Sequence, residues 1–190
     1  MQGNLFHGEA LATSAPAELP LQPAQLQAWQ QRIHSHQADL FRGEHRADDQ
    51  GDLFASPPPN PTVTLDPMAL TPLPLTFWRW PTSPHQGAAI YLVLDRPSDL
   101  DQPLLLYVGE TGAADRRWKG DHDCKAYLAA YGESLQRCGL ESQLSIRFCT
   151  DVPSDTRARR RLEQHLIQRW QPPFNKETRQ RWATPFHVET

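Results

Sequence analysis

The chain has 190 residues and a formal net charge of −3, with no apolar run of about 18 residues and no basic start leading into an apolar stretch. These features argue against a membrane-spanning helix and a secretory leader, and lead us to expect a cytoplasmic chain with room for one domain. No strongly basic balance advertises nucleic acid, although the acidity is uneven: four basic against eight acidic residues precede residue 85, and fifteen against fourteen follow. Twelve of the 18 prolines also lie in that first part. Cys124, Cys138 and Cys149 are odd in number and lack CxxC spacing, so they read as small buried hydrophobes, not as a disulfide framework or zinc site.

Residues 1–67 are rich in Pro, Gln, Ala and Asp, with too few clustered apolar residues to offset the entropy of ordering. We expect a largely disordered tail. Within it, Leu26, Trp29 and Ile33 recur at helical spacing and predict one short helix over residues 23–36. A pentapeptide recurs three times: QGNLF at Gln2–Phe6, QADLF at Gln37–Phe41 and QGDLF at Gln50–Phe54. A chance match has a probability on the order of one in 10⁵ per position. Unequal spacing and unlike flanks mark the three as copies of one linear ligand, each with an amide and a Leu-Phe pair sized for an apolar pocket. They resemble the pentapeptides by which bacterial polymerases and repair proteins dock on the β sliding clamp. The resemblance implies that partner, with two grooves for tethered copies to engage together. The alternatives are that the Leu-Phe pairs fold back on the domain or staple the short helix, or that another partner reads them. Residues 68–84 read as a Pro/Trp-rich linker, in which Phe77, Trp78 and Trp80 either pack on the domain or offer faces for base stacking.

Residues 85–190 form the expected domain. AAIYLVL at residues 88–94 and LLLYV at 104–108 read as strands, joined by a polar connection longer than a tight hairpin. A brief helix near residues 113–119 precedes an amphipathic one carrying Cys124, Tyr127, Leu128, Tyr131, Leu135 and Cys138, which Gly139 stops. Leu144, Ile146 and Phe148 alternate with polar residues as a third strand. A last helix, capped by Ser154 or Asp155, ends at Pro172-Pro173. The order ββα(α)βα predicts an α/β (α+β) fold with a small three-stranded antiparallel sheet flanked by helices.

That last helix holds an anomaly. At about 100° per residue, Leu162, Leu166, Ile167 and Trp170 define an apolar arc, and Glu163 falls inside it. A carboxylate there needs a compensating charge, either a metal ion or Arg159 one turn earlier. Ala89-Ile90-Tyr91, then Tyr107-Val108-Gly109, Arg117, Glu163 and an Asn after PPF together resemble the GIY-YIG nuclease domain over roughly residues 85–180. The resemblance implies a DNA endonuclease in which Glu163 holds one Mg²⁺, or Mn²⁺ in its place, and Arg117 clamps the phosphate. Tyr91 would serve as general base or water-orienting group, Tyr107 would position substrate or water, and Asn175 would brace the site. His122 lies near a further family position. Arg116, Lys119 and Lys125 would contact phosphates. Three departures stand out: Ala89 in place of the family's Gly, a longer interval between the tyrosines, and Glu110 where many members carry Lys. The alternative is a clamp- and DNA-binding adaptor whose nuclease-like fold no longer cleaves.

Overall fold

A computed structural model describes residues 20–43, 65–119 and 123–188. The copies at Gln2–Phe6 and Gln50–Phe54, and His122, lie outside the described residues.

Three antiparallel strands, β1 (Ala89–Asp95), β2 (Leu104–Thr111) and β3 (Ser145–Cys149), form a sheet in the order β2-β1-β3. All seven residues of β1 are buried, because the central strand is covered on both faces. Its alternation therefore separates two apolar environments rather than core from water. Ala89, Tyr91 and Val93 face a cluster formed with helix α1 (Pro23–Phe41), helix α3 (Asp123–Cys138), Phe174 and Trp182. Ile90, Leu92 and Leu94 face Leu166, Ile167 and Trp170 of helix α4 (Thr156–Trp170). Two single-turn helices, α2 (Ala114–Arg117) and α5 (Arg179–Trp182), complete the described residues' α-helices. The result is a mixed α/β fold with helices on both faces of one small sheet.

Helix α4 begins where Asp155 accepts from the Ala158 amide at 2.8 Å, and ends at Gln171, left-handed at φ 49°, before the two prolines. Of the two candidate caps, Asp155 is the one used.

The tail boundary at residue 67 needs correction. Residues 23–41 form a 19-residue helix that belongs to the domain. Leu26, Trp29 and Ile33 join the core on one face of the sheet, while Leu40 and Phe41 pack with the other, so α1 crosses the outer edge of β2. Gln37 sits at the crossing with no accessible surface. Its amide nitrogen donates to the carbonyls of Leu105 and Trp170, both at 3.0 Å, and its oxygen accepts from the Leu105 amide at 2.8 Å. Phe41 stacks obliquely on Trp170 with centroids 4.6 Å apart. The copy Gln37–Phe41 is therefore not a free peptide: its amide satisfies edge backbone groups that would otherwise be buried unpaired.

Both sheet edges are closed in this manner. Beyond Gln37, the β2 edge is met by the Phe174 amide, which donates to the Leu106 carbonyl at 3.0 Å, and by the Asn175 amide and the Glu163 carboxylate. At β3, Leu73 and Ile146 exchange two backbone hydrogen bonds of 2.8 and 2.9 Å. Arg147, which the strand period assigns to a polar face, is buried, and its Nη1 donates to the carbonyls of Pro67, Met68 and Leu70. That guanidinium fixes the path by which the chain returns to the sheet after α1.

Candidate active site

Three side chains meet near one end of the sheet, Tyr91 of β1, Tyr107 of β2 and Arg117 at the end of α2, and Glu163 of α4, which covers the opposite face, reaches the β2 edge within electrostatic range of Tyr107 and Arg117. Residue pairing brings Tyr91 opposite Gly109 and Tyr107 opposite Val93, so both phenols lie on the same face. Their rings stack with centroids 5.9 Å apart, and Tyr107 donates a hydrogen bond to the Tyr91 hydroxyl. Arg117 Nε donates to the same hydroxyl at 3.2 Å. Trp118, next along the chain, closes edge-on over Tyr91 at 5.8 Å.

Gly109 makes this arrangement possible. A β-carbon there would overlap Cζ and the hydroxyl oxygen of Tyr91 and stand 2.8 Å from Tyr107 Cε1. No tight turn or positive φ calls for glycine at this position in mid-strand. The reason is steric: the Tyr91 ring end lies directly on the β2 backbone.

Burial sets the protonation of both phenols. It pushes Tyr91 up to about 12, against the opposing pull of Arg117, and pushes Tyr107 further, with the charges of Tyr91 and Glu163 adding to the effect. Tyr91 has no accessible surface and holds its proton at neutral pH. That fits a general base poorly and fits a group that aims Arg117 well.

Glu163 is half-buried, and its Oε1 accepts from the Glu110 amide at 3.0 Å. Burial raises its carboxyl above the usual range; the Glu110 amide and Arg117 pull it back, while Glu110 and Glu177 push it up. Arg159 is not its partner. That guanidinium is buried and donates to Glu110 Oε2 at 2.8 Å and to the carbonyls of Pro153 and Ser154. Arg160 adds a 3.4 Å contact to Glu110 Oε1. Hence Glu110 is neutralised by two arginines, and Glu163 keeps its second oxygen without a hydrogen bond among the described residues.

A half-desolvated carboxylate, with one oxygen held by a backbone amide and the other open, fits a divalent cation bound through one protein ligand. Among the described residues no three His, Cys, Asp or Glu side chains cluster into a closed cage, so the other ligands of such an ion would be water and substrate oxygens. Asn175 stands behind the site. Buried, it accepts from the Val108 amide at 3.0 Å and donates to the Val108 carbonyl at 2.8 Å, bracing the strand between Tyr107 and Gly109. Its contacts are with backbone, not with the tyrosine hydroxyls. Arg116 and Lys119 are exposed beside Arg117, and Lys125 lies 5.9 Å from the Trp118 ring centroid. Trp118 and the Glu110–Arg159 pair escape a reading by periodicity. The available clue was an aromatic residue adjoining Arg117 in a helix too short to bury it on its own. No protein-family model matches the chain, and neither a curated protein nor a solved structure is significantly similar to it.

Proposed function

We propose that the chain is a Mg²⁺-dependent DNA endonuclease of the GIY-YIG type, hydrolysing phosphodiester bonds at Glu163, Arg117 and the paired tyrosines. The observation that carries this reading is the cluster of Arg117, Tyr91 and Tyr107 within electrostatic range of a half-buried carboxylate, Glu163, whose nearest arginine is committed to Glu110. Fold stability alone does not call for a half-buried acid beside two phenols and a guanidinium.

In this reading Arg117 pairs with phosphoryl oxygens as they gain negative charge, since its planar fork stays ionised and matches phosphate geometry. Tyr91 holds Arg117 Nε and so fixes the direction of the fork. Tyr107, only half-buried, is the phenol that meets incoming water or substrate, and with its proton on Tyr91 it orients water by accepting. Glu163 would hold the divalent ion, which would supply a water of lowered pKa and positive charge toward the phosphate. The outer face of α4 presents Arg157, Arg160, Arg161 and His165 to solvent, a surface suited to the backbone of a polymeric anion. Tethering to the sliding clamp belongs to the same proposal, through Gln2–Phe6 and Gln50–Phe54 only. Clamp capture unchanged by Phe6→Ala with Phe54→Ala would dismiss it.

The test is cleavage of branched, nicked and linear DNA in Mg²⁺. Glu163→Gln retains an oxygen for the Glu110 amide and should leave the fold intact. We expect it to slow cutting by about 10³-fold or more, the worth of several kcal/mol of charge stabilisation. Equal cutting by wild type, Glu163→Gln and Arg117→Ala would refute the reading.

A further inference from the structure

Four of the six tryptophans, Trp29, Trp118, Trp170 and Trp182, are buried, whereas Trp78 and Trp80 are 37% and 44% exposed. The linker aromatics thus divide. Phe77 is buried edge-on against Phe148, with centroids 5.3 Å apart, and anchors a single 3-10 turn spanning Phe77–Arg79. Leu73 is pinned to β3 by its two backbone bonds, and the Trp80 amide donates to the Phe77 carbonyl at 3.0 Å. The two indoles therefore project from a segment fixed at both its base and its tip.

The surroundings of Trp78 are cationic and adjoin the proposed catalytic residues, and Trp80 lies two residues on, at the end of the same turn. Arg79 lies 5.1 Å over the Trp78 ring, and the Lys125 ammonium is 5.9 Å from the centroids of both Trp78 and Trp118. Trp118 in turn covers Tyr91, whose hydroxyl receives Arg117. From exposed ring to phosphate clamp, the path runs through these neighbours without interruption. Part-exposed indoles, one of them carrying Arg79 and Lys125 over its ring, match a nucleic acid with bases out of the stack: a base face takes up the exposed ring surface while the cations meet phosphate. A paired duplex offers no such face, because its bases stack on one another.

We infer that Trp78 and Trp80 form a stacking platform for unpaired bases beside the scissile phosphate. The substrate class is then DNA carrying a single-stranded segment next to the cut, such as a flap, gap or junction. This inference rests on the nuclease reading for its placement, and its test separates the two. In EDTA, tryptophan fluorescence and anisotropy are measured with an oligothymidylate of about a dozen nucleotides and with a blunt duplex of like length. We expect the single strand to quench wild-type fluorescence, and Trp78→Ala with Trp80→Ala to weaken its binding roughly 5- to 150-fold. Trp78→Phe with Trp80→Phe should restore most of the affinity, while duplex binding stays within about twofold throughout. Single-strand affinity unchanged in the double alanine variant, with circular dichroism confirming its fold, would overturn the platform, as would absence of binding to the wild type. Platform-dependent binding without cutting of any DNA in Mg²⁺ would support the platform and refute the nuclease. Cutting with tryptophan-independent binding would do the reverse.

Discussion

Gly109→Ala isolates the contact on which the candidate site is built. Gly109 has no positive φ, so its backbone is open to any residue, and a glycine-to-alanine change in such a place ordinarily stabilises by about 0.4–1 kcal/mol through the unfolded chain. Here the added carbon would overlap the end of the Tyr91 ring and come within 2.8 Å of Tyr107 Cε1. Tyr91 has little room to yield: Tyr107 stacks on it, Trp118 meets it at 5.8 Å and Phe148 at 6.0 Å. Overpacking costs about 1–3 kcal/mol, and a clash with two confined rings belongs at the upper end, so the steric effect wins. At about 2–4 °C per kcal/mol for a chain of this length, we expect melting to fall by roughly 5–10 °C. Urea denaturation of Gly109→Ala, Tyr91→Leu and the double variant would expose the origin. Removing the phenol should relieve the clash, giving a favourable coupling of about 1 kcal/mol or more. Additive effects, or a Gly109→Ala protein as stable as wild type, would refute the reasoning.

Two further predictions concern stability. Gln37→Leu should lower unfolding free energy by about 2–3 kcal/mol, because it strands the Leu105 amide and two carbonyls at the β2 edge. A residue serving only as a linear ligand would leave urea denaturation unchanged. Glu163→Gln should raise the melting temperature near pH 7 in the absence of divalent ions. The folded-state pKa of Glu163 is raised, so the fold favours its protonated form. The stability it contributes is present below the unfolded carboxyl value of about 4.3 and is lost as pH rises through the folded one. The advantage of the variant should therefore vanish below about pH 4. A variant less stable than wild type across that range would contradict the assignment of Glu163 as an acid kept at a cost to stability.

The strands of the sheet and helix α4 follow from periodicity, since β1, β2 and β3 carry dense branched and aromatic runs and α4 carries one apolar arc. Helix α1 was obscured by its own sequence. The stripe of Leu26, Trp29 and Ile33 continues through Gln37, Leu40 and Phe41, all within about 60° of Leu26 around the helix, so the pentapeptide lies on the buried face. A buried glutamine reads as polar in any periodicity count, and only the unpaired edge of β2 explains its presence. Arg147 is hidden for the same reason: its role depends on carbonyls nearly 80 positions away. Glu163 was the reverse case. Its misfit on the arc was visible, but whether Arg159 answered it depended on Glu110, a strand residue whose side chain competes for that arginine. The proline-rich entry showed aromatic residues without showing which would turn outward. Phe77 packs edge-on against Phe148, while Trp78 on the turn and Trp80, where the chain leaves it in an extended conformation, stay exposed.

On the proposed mechanism, the open Glu163 oxygen receives a divalent ion in the company of a DNA phosphate. Mn²⁺ titrated into protein bound to a cleavage-resistant phosphorothioate DNA, with the free-ion signal followed by electron paramagnetic resonance, tests it directly. Wild type should remove about one Mn²⁺ per chain from the free pool beyond what the DNA alone removes, and Glu163→Gln should remove none. Equal uptake by the two proteins would contradict the account.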